Sequence, residues 1–273
     1  MSTYTYKKVK SSLLKNSILK RVCAPLLLTL TALTLSFTSV AQSQPPARVA
    51  AAADLQLALK EVQELFHQQS EHRVQVTYGS SGVFTTQLRQ GAPFELFFSA
   101  QANYVEMLYD DGLTLDQGTD YARGRIAFFS RDPLDATDAE SALRAWLDNT
   151  DKSSRLSIAN PSHAPYGVAA MSWLQTLSLE EPLLGRMVLG ENAAQAVQFA
   201  LSGAARTGIV AWPLLKSRDL PGQAWLIPET AHIPLRQRMV LMNNAGPAAK
   251  AFYQFLQEQP ALDILSTHGF GSP

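Results

Sequence analysis

Arg73-Val-Gln-Val-Thr-Tyr-Gly-Ser-Ser-Gly-Val-Phe-Thr-Thr-Gln-Leu-Arg-Gln90 changes its hydrophobic period part-way along. Arg73–Tyr78 alternates, which is strand spacing, and Val83–Gln90 resumes with helical spacing. Gly79, Ser80, Ser81 and Gly82 lie between the two. A strand that feeds a helix through a short small-residue turn is the unit of a parallel α/β sheet. The same order recurs on either side. Arg48–Asp54 reads as a small-residue strand, and Leu55–His67 as a helix with apolar residues at Leu55, Leu59, Val62, Leu65 and Phe66. Asp54 stands where that helix would begin and is an N-cap candidate. Phe94–Ser99 reads as a strand and Asn103–Asp110 as a helix.

The second half repeats the style. Strands are expected at Gly124–Ser130, Leu156–Ala159, Gly208–Trp212, Ala224–Ile227 and Arg238–Met242. Helices are expected at Ala139–Leu147, Val168–Leu177, Glu191–Ser202 and Pro247–Gln257. The pattern predicts an α/β protein with mostly parallel sheets.

The first forty residues read differently. Lys7, Lys8, Lys10, Lys15, Lys20 and Arg21 come without an acidic residue, the apolar run Ala24–Phe37 follows, and Ser39-Val-Ala41 ends it. That order predicts a secretory signal at residues 1–41. The whole chain balances 23 basic against 23 acidic residues, but residues 42–273 carry 17 against 23. No basic tract remains there, which argues against a nucleic-acid partner. The single cysteine, Cys23, falls inside the leader, so thiol chemistry is absent from the rest.

Enzyme signatures are poor. There is no Gly-x-Ser-x-Gly elbow and no phosphate loop of the Gly-x-x-x-x-Gly-Lys kind. His67, His72, His163, His232 and His268 show no tight metal-ligand spacing. Three turns that open helices stand out instead: Tyr78–Gly82, Asn160–Gly167 and Gly190–Asn192. First-turn amides lack helical acceptors and carry partial positive charge, so such turns suit a small anion. Serine hydroxyls add neutral donors. A secreted hydrolase using Ser81 or His163 stays open as the competing class, because convergence in space is invisible in sequence.

Ala50–Leu55, Tyr78–Gly82, Gln87–Ala100, Ala159–Gly167, Gly208–Val210 and Ala251–Leu256 together resemble the periplasmic molybdate-binding proteins of ABC importers. The likeness spans nearly all of residues 48–270. It implies the type II periplasmic binding fold: two α/β lobes joined by crossing strands, here Gly124–Ser130 and Leu235–Met242. Lobe one would take residues 42–123 and 238–273, and lobe two 124–237. It further implies a monomer in the periplasm that captures molybdate or tungstate, uses no cofactor, and serves a membrane permease. The metal is cargo inside the oxyanion and is held through its oxygens by Ser81, Tyr166 and Ala193, the last two by backbone N–H. Ser80, Asp54 and Ala211 complete the expected ligand-binding set. Another oxyanion, such as phosphate or sulfate, is the alternative cargo.

Two positions depart from the family pattern. Asp54 stands where the pattern has serine, and Ala211 where it has tyrosine. An ionised aspartate about 4 Å from a dianion is repelled by ~4 kcal/mol per unit charge at a near-surface dielectric. Three resolutions are open: Asp54 caps its helix, Arg236 or Arg238 neutralises it, or it accepts a proton from a hydrogen-bearing anion.

Overall fold

The computed structural model describes residues 45–216 and 218–273. The expected leader at residues 1–41 lies outside the described residues.

The elements run in chain order as β1 (Ala47–Ala52), α1 (Gln56–Gln69), β2 (Val74–Gly79), α2 (Ser81–Arg89), β3 (Leu96–Ser99), α3 (Ala102–Asp110), β4 (Thr119–Gly124), β5 (Ile126–Ser130), α4 (Ala139–Asp148) and β6 (Leu156–Ala159). They continue as α5 (Pro165–Thr176), α6 (Glu180–Leu183), β7 (Met187–Gly190), α7 (Ala193–Ser202), β8 (Thr207–Ala211), β9 (Gln223–Leu226), β10 (Leu235–Leu241), α8 (Pro247–Phe255) and α9 (Gln259–Thr267). Two five-stranded sheets result, ordered β2-β1-β3-β10-β4 and β7-β6-β8-β5-β9. Each is mixed. In the first, β1 pairs parallel with β2 and β3, and β10 pairs antiparallel with β3 and β4. In the second, β6 pairs parallel with β7 and β8, and β5 pairs antiparallel with β8 and β9. The chain is thus a two-lobed α/β protein with parallel strands at the heart of each sheet, as expected, and antiparallel pairs added where it passes between sheets.

That passage explains β4, which the sequence reading missed. β4 and β5 are separated by Arg125 alone, so one nearly continuous extended segment serves both sheets. It begins at Thr119 rather than Gly124, because Thr119-Asp-Tyr-Ala-Arg-Gly124 forms an edge strand with a half-polar pattern. The chain returns through residues 227–234 into β10, which pairs only within the first sheet.

Packing follows from strand position. β1 lies between β2 and β3, and five of its six residues are buried, including Ala50, Ala51 and Ala52. A strand covered on both faces reads as an uninterrupted apolar run. Leu55, Leu59 and Val62 of the α1 region pack with Phe98, Phe252 and Phe255 on one face of the first sheet. Phe84, Leu88, Val105 and Leu108 cover the other with Phe97. Phe128, Phe129, Leu143, Ile158 and Trp173 build the core of the second sheet. The remaining misses are local. α5 begins at Pro165, three residues before the expected start, because a proline in the first turn gives up an N–H that has no helical acceptor there. α9, absent from the sequence reading, begins at Gln259 with Pro260 in its first turn, where the missing N–H is again no loss.

Candidate functional site

The helix starts named in the sequence meet in one place. The carboxyl ends of β1, β2 and β3 and the starts of α5 and α7, which follow β6 and β7, surround a small cavity. Ligands in open α/β sheets sit at that end of the strands. Ala53, Asp54, Ser80, Ser81, Tyr166 and Ala193 all line it. Ser81 is the first residue of α2, Tyr166 the second of α5, and Ala193 the first of α7. Backbone N–H groups at these positions have no acceptor within their own helices, and the helix dipoles add positive potential. α7 is set by its cap: the Asn192 side chain accepts from the Gln195 amide at 3.0 Å.

Hydroxyl geometry separates the two serines. Ser81 Oγ accepts the Ala100 N–H at 3.0 Å, which leaves its own proton to donate into the cavity. Ser80 is engaged elsewhere. Its hydroxyl donates to the His163 carbonyl across the cleft and lies 3.0 Å from His163 Nδ1. The Gly82 N–H donates to the same carbonyl at 3.0 Å. This clasp ties the start of α2, on the first sheet, to the turn before α5, on the second. It requires glycine at 82: a Cβ there would lie 2.7 Å from the His163 carbonyl oxygen.

Asp54 is buried, with 1% exposure, inside a hydrogen-bonded set drawn from both sheets. The Tyr166 hydroxyl donates to Oδ2 at 3.0 Å, and Gln237 Nε2 donates to the same oxygen. The Tyr121 hydroxyl donates to Gln237 Oε1 at 2.6 Å, which turns the amide's NH2 toward Asp54. Gly124 makes room, since a Cβ there would meet the Tyr166 hydroxyl at 2.6 Å and Gln237 Nε2 at 2.8 Å. Burial pushes the Asp54 carboxyl up to about 6, against the opposing bonds from Gln237 and Tyr166. Burial and the neighbouring Asp54 charge push the Tyr166 and Tyr121 hydroxyls well above the usual phenol range. Among the described residues, no group of three His, Cys, Asp or Glu side chains is placed to hold a metal ion.

Residues 47–271 match the family model described as bacterial extracellular solute-binding protein. The chain belongs to that family. This solute-binding protein is 35% identical over 225 residues to the molybdate-binding protein ModA of Rhodobacter capsulatus, covering 81% of this chain and 86% of the relative. It is 34% identical over 229 residues to ModA of Azotobacter vinelandii, covering 82% and 89%. The solved periplasmic molybdate-binding protein of Azotobacter vinelandii superposes with a TM-score of 0.75 at 28% identity, over 83% of this chain and 99% of that one.

Two of the resolutions open for Asp54 fail in this solute-binding protein. Asp54 does not cap α1: the chain enters that helix through a 3-10 turn at Ala53–Leu55, the N-cap position falls on Leu55, and no side chain caps it. Nor do the arginines neutralise it. Side chains alternate along β10, so Gln237 faces inward while Arg236 and Arg238 face the other way. Both arginines pair with Asp120 and Glu106 instead, Arg236 Nε at 3.2 Å and Arg238 Nε at 2.5 Å from the Asp120 carboxylate. Ala211 lies apart from the cavity lining, fully buried at the end of β8 opposite Ile126. The sequence reading missed Gln237 and Tyr121. A signal was present: in Leu235-Arg-Gln-Arg-Met239 a polar glutamine occupies an inward position of an alternating strand.

Proposed function

We propose that this solute-binding protein captures molybdate or tungstate in the cleft and delivers it to the membrane permease of an ABC importer. The Ser81 hydroxyl and the amides of Ser81, Tyr166 and Ala193 would hold the oxygens of the anion. The observation that carries this reading is the convergence of three helix starts from both sheets on one small cavity, far short of the space a drug-sized organic solute needs. Neutral donors and helix dipoles suit a compact anion stripped of its water. Relatives at 34–35% identity that bear the name molybdate-binding protein support the same cargo.

The protein works as a monomer in the periplasm after removal of residues 1–41, and the anion is cargo, with no cofactor taking part. Sheet membership supports lobes close to residues 42–123 with 238–273, and 124–237, but Gly124 and Leu235–Gln237 pair within the first sheet and so go with lobe one. No bond is made or broken. The His163 imidazole lies against Ser80, 3.0 Å from its Oγ, and the Ser81 Oγ accepts the Ala100 N–H, which supports binding over hydrolysis by Ser81. Calorimetric titration with molybdate, tungstate, sulfate and phosphate tests the reading. Molybdate and tungstate should bind and sulfate at least tenfold more weakly, since a smaller tetrahedron leaves buried donors unmatched at ~1–3 kcal/mol each. Sulfate binding as tight as molybdate would refute the assignment.

A further inference from the structure

Amides and the Ser81 hydroxyl account for an anion's partners but not for the carboxyl group beside them. Asp54 lines the cavity at 1% exposure, and both of its side-chain donors, Tyr166 and Gln237, converge on Oδ2. Tyr121 fixes the Gln237 amide in that orientation. Oδ1 is buried without a well-formed hydrogen bond among the described residues, although the Asp54 and Leu55 backbone amides lie near enough to the carboxylate to favour its charge. The ionisable groups facing Asp54 are phenols, Tyr166 from α5 and Tyr121 from β4, while Tyr78 of β2 lies beside the neighbouring Ala53. α7 and the 3-10 turn at Trp212–Leu214 bring no ionisable side chain, and along α1 they begin only at Lys60. Arg236 and Arg238 on β10 face away toward Asp120 and Glu106, and His163 is held by Ser80 and Glu191.

We propose that Asp54 receives the oxyanion as a neutral carboxylic acid whose proton, on Oδ1, is donated to a ligand oxygen, so that capture of a dianion takes up one proton from solvent. The inference rests on the oxyanion reading above. The two oxygens divide the work: Oδ2 accepts from Tyr166 and Gln237 in either protonation state, and Oδ1 becomes a donor once it carries the proton. Protonation removes the like-charge contact and adds a donor where the family pattern has a serine hydroxyl. Burial already brings the free protein's carboxyl up to about 6, so the proton is taken up at modest cost near neutrality, and the incoming dianion raises its affinity for the proton further.

The test is titration of the exported protein with sodium molybdate between pH 6 and 8, in pairs of buffers with unlike ionisation enthalpies. Close to one proton should be taken up per molybdate at pH 8, and affinity should fall toward tenfold per pH unit above 6. Asp54→Asn presents an amide NH2 in place of the acid proton and keeps an oxygen for Tyr166 and Gln237. It should bind without proton uptake and with flat pH dependence, so the wild-type-to-variant affinity ratio should change roughly 50-fold between pH 6 and 8. Molybdate binding by the wild type with no proton uptake would overturn the proposal, and that measurement stands whether or not the variant folds. Tight phosphate binding that is lost in Asp54→Asn would overturn it in favour of an ionised Asp54 accepting a hydrogen from the ligand. Failure of both proteins to bind molybdate or tungstate at any pH would instead bring down the oxyanion reading, and the proposal with it.

Discussion

Replacing Gly82 with alanine should weaken anion binding while leaving the fold intact, because the added atom would meet backbone only across the cleft and, on its own side, just the end of the Tyr104 side chain. The added Cβ would sit 2.7 Å from the His163 carbonyl oxygen, 3.0 Å from the Tyr104 hydroxyl and 3.1 Å from His163 Cα. Backbone on both sides must therefore separate. The carbonyl that retreats is the one accepting from the Gly82 N–H and the Ser80 hydroxyl. Two such bonds contribute about 0.5–1.5 kcal/mol each, so the closed arrangement should lose about 1–3 kcal/mol, or roughly 5- to 150-fold in affinity for a ligand that requires closure. Stability should move the other way or not at all. Gly82 is the second residue of α2, and alanine is favoured over glycine within helices by up to about 1 kcal/mol. Calorimetric titration with molybdate, paired with urea denaturation of the free protein, separates the two effects. Unchanged affinity would refute the clasp, and a collapse in free-protein stability would show that the contact belongs to the fold rather than to closure.

Ser81→Ala removes a hydroxyl whose lone pair is taken by the Ala100 N–H and whose proton remains to donate. Affinity for molybdate should fall by ~1.5–3 kcal/mol, the scale of a hydrogen bond to a charged group, and an unchanged titration would remove Ser81 from the site. Asp54→Asn should change the pH dependence of stability in the free protein. The folded value of about 6 lies above the ordinary 3.8, so the folded state holds its proton where the unfolded chain has released it. Stability from this group is therefore full below pH 4, declines as pH rises to 6, and is lower by roughly 3 kcal/mol beyond. Asparagine does not titrate, so denaturation should show the variant gaining on the wild type by about that amount between pH 4 and 7. Parallel stability curves would contradict the burial-driven shift.

Much of the architecture was legible because its signals are local. Alternation in Arg73–Tyr78 and helical spacing in Leu55–His67 each need only a dozen residues of context, and both elements form within a residue or two of the expected limits. β4 was not legible, since Thr119–Gly124 is an edge strand whose polar residues face solvent or partners on one flank.

The same division runs through the site. Sequence alone determined that the turns Tyr78–Gly82, Asn160–Gly167 and Gly190–Asn192 open helices, and an open helix start offers unpaired amides wherever the chain carries it; the choice of Ser81, Tyr166 and Ala193 within them came from the family resemblance. It also determined that Asp54 replaces a serine of the family pattern. Tertiary structure alone decided what surrounds Asp54. Gln237 lies 183 residues away and Tyr166 112, and neither pairing follows from spacing. Two arginines flanking one glutamine made charge neutralisation the natural expectation. The face of β10 turned inward is set by its pairing with β3 and β4, and a shift of one residue along that strand would exchange every inward side chain for its neighbour.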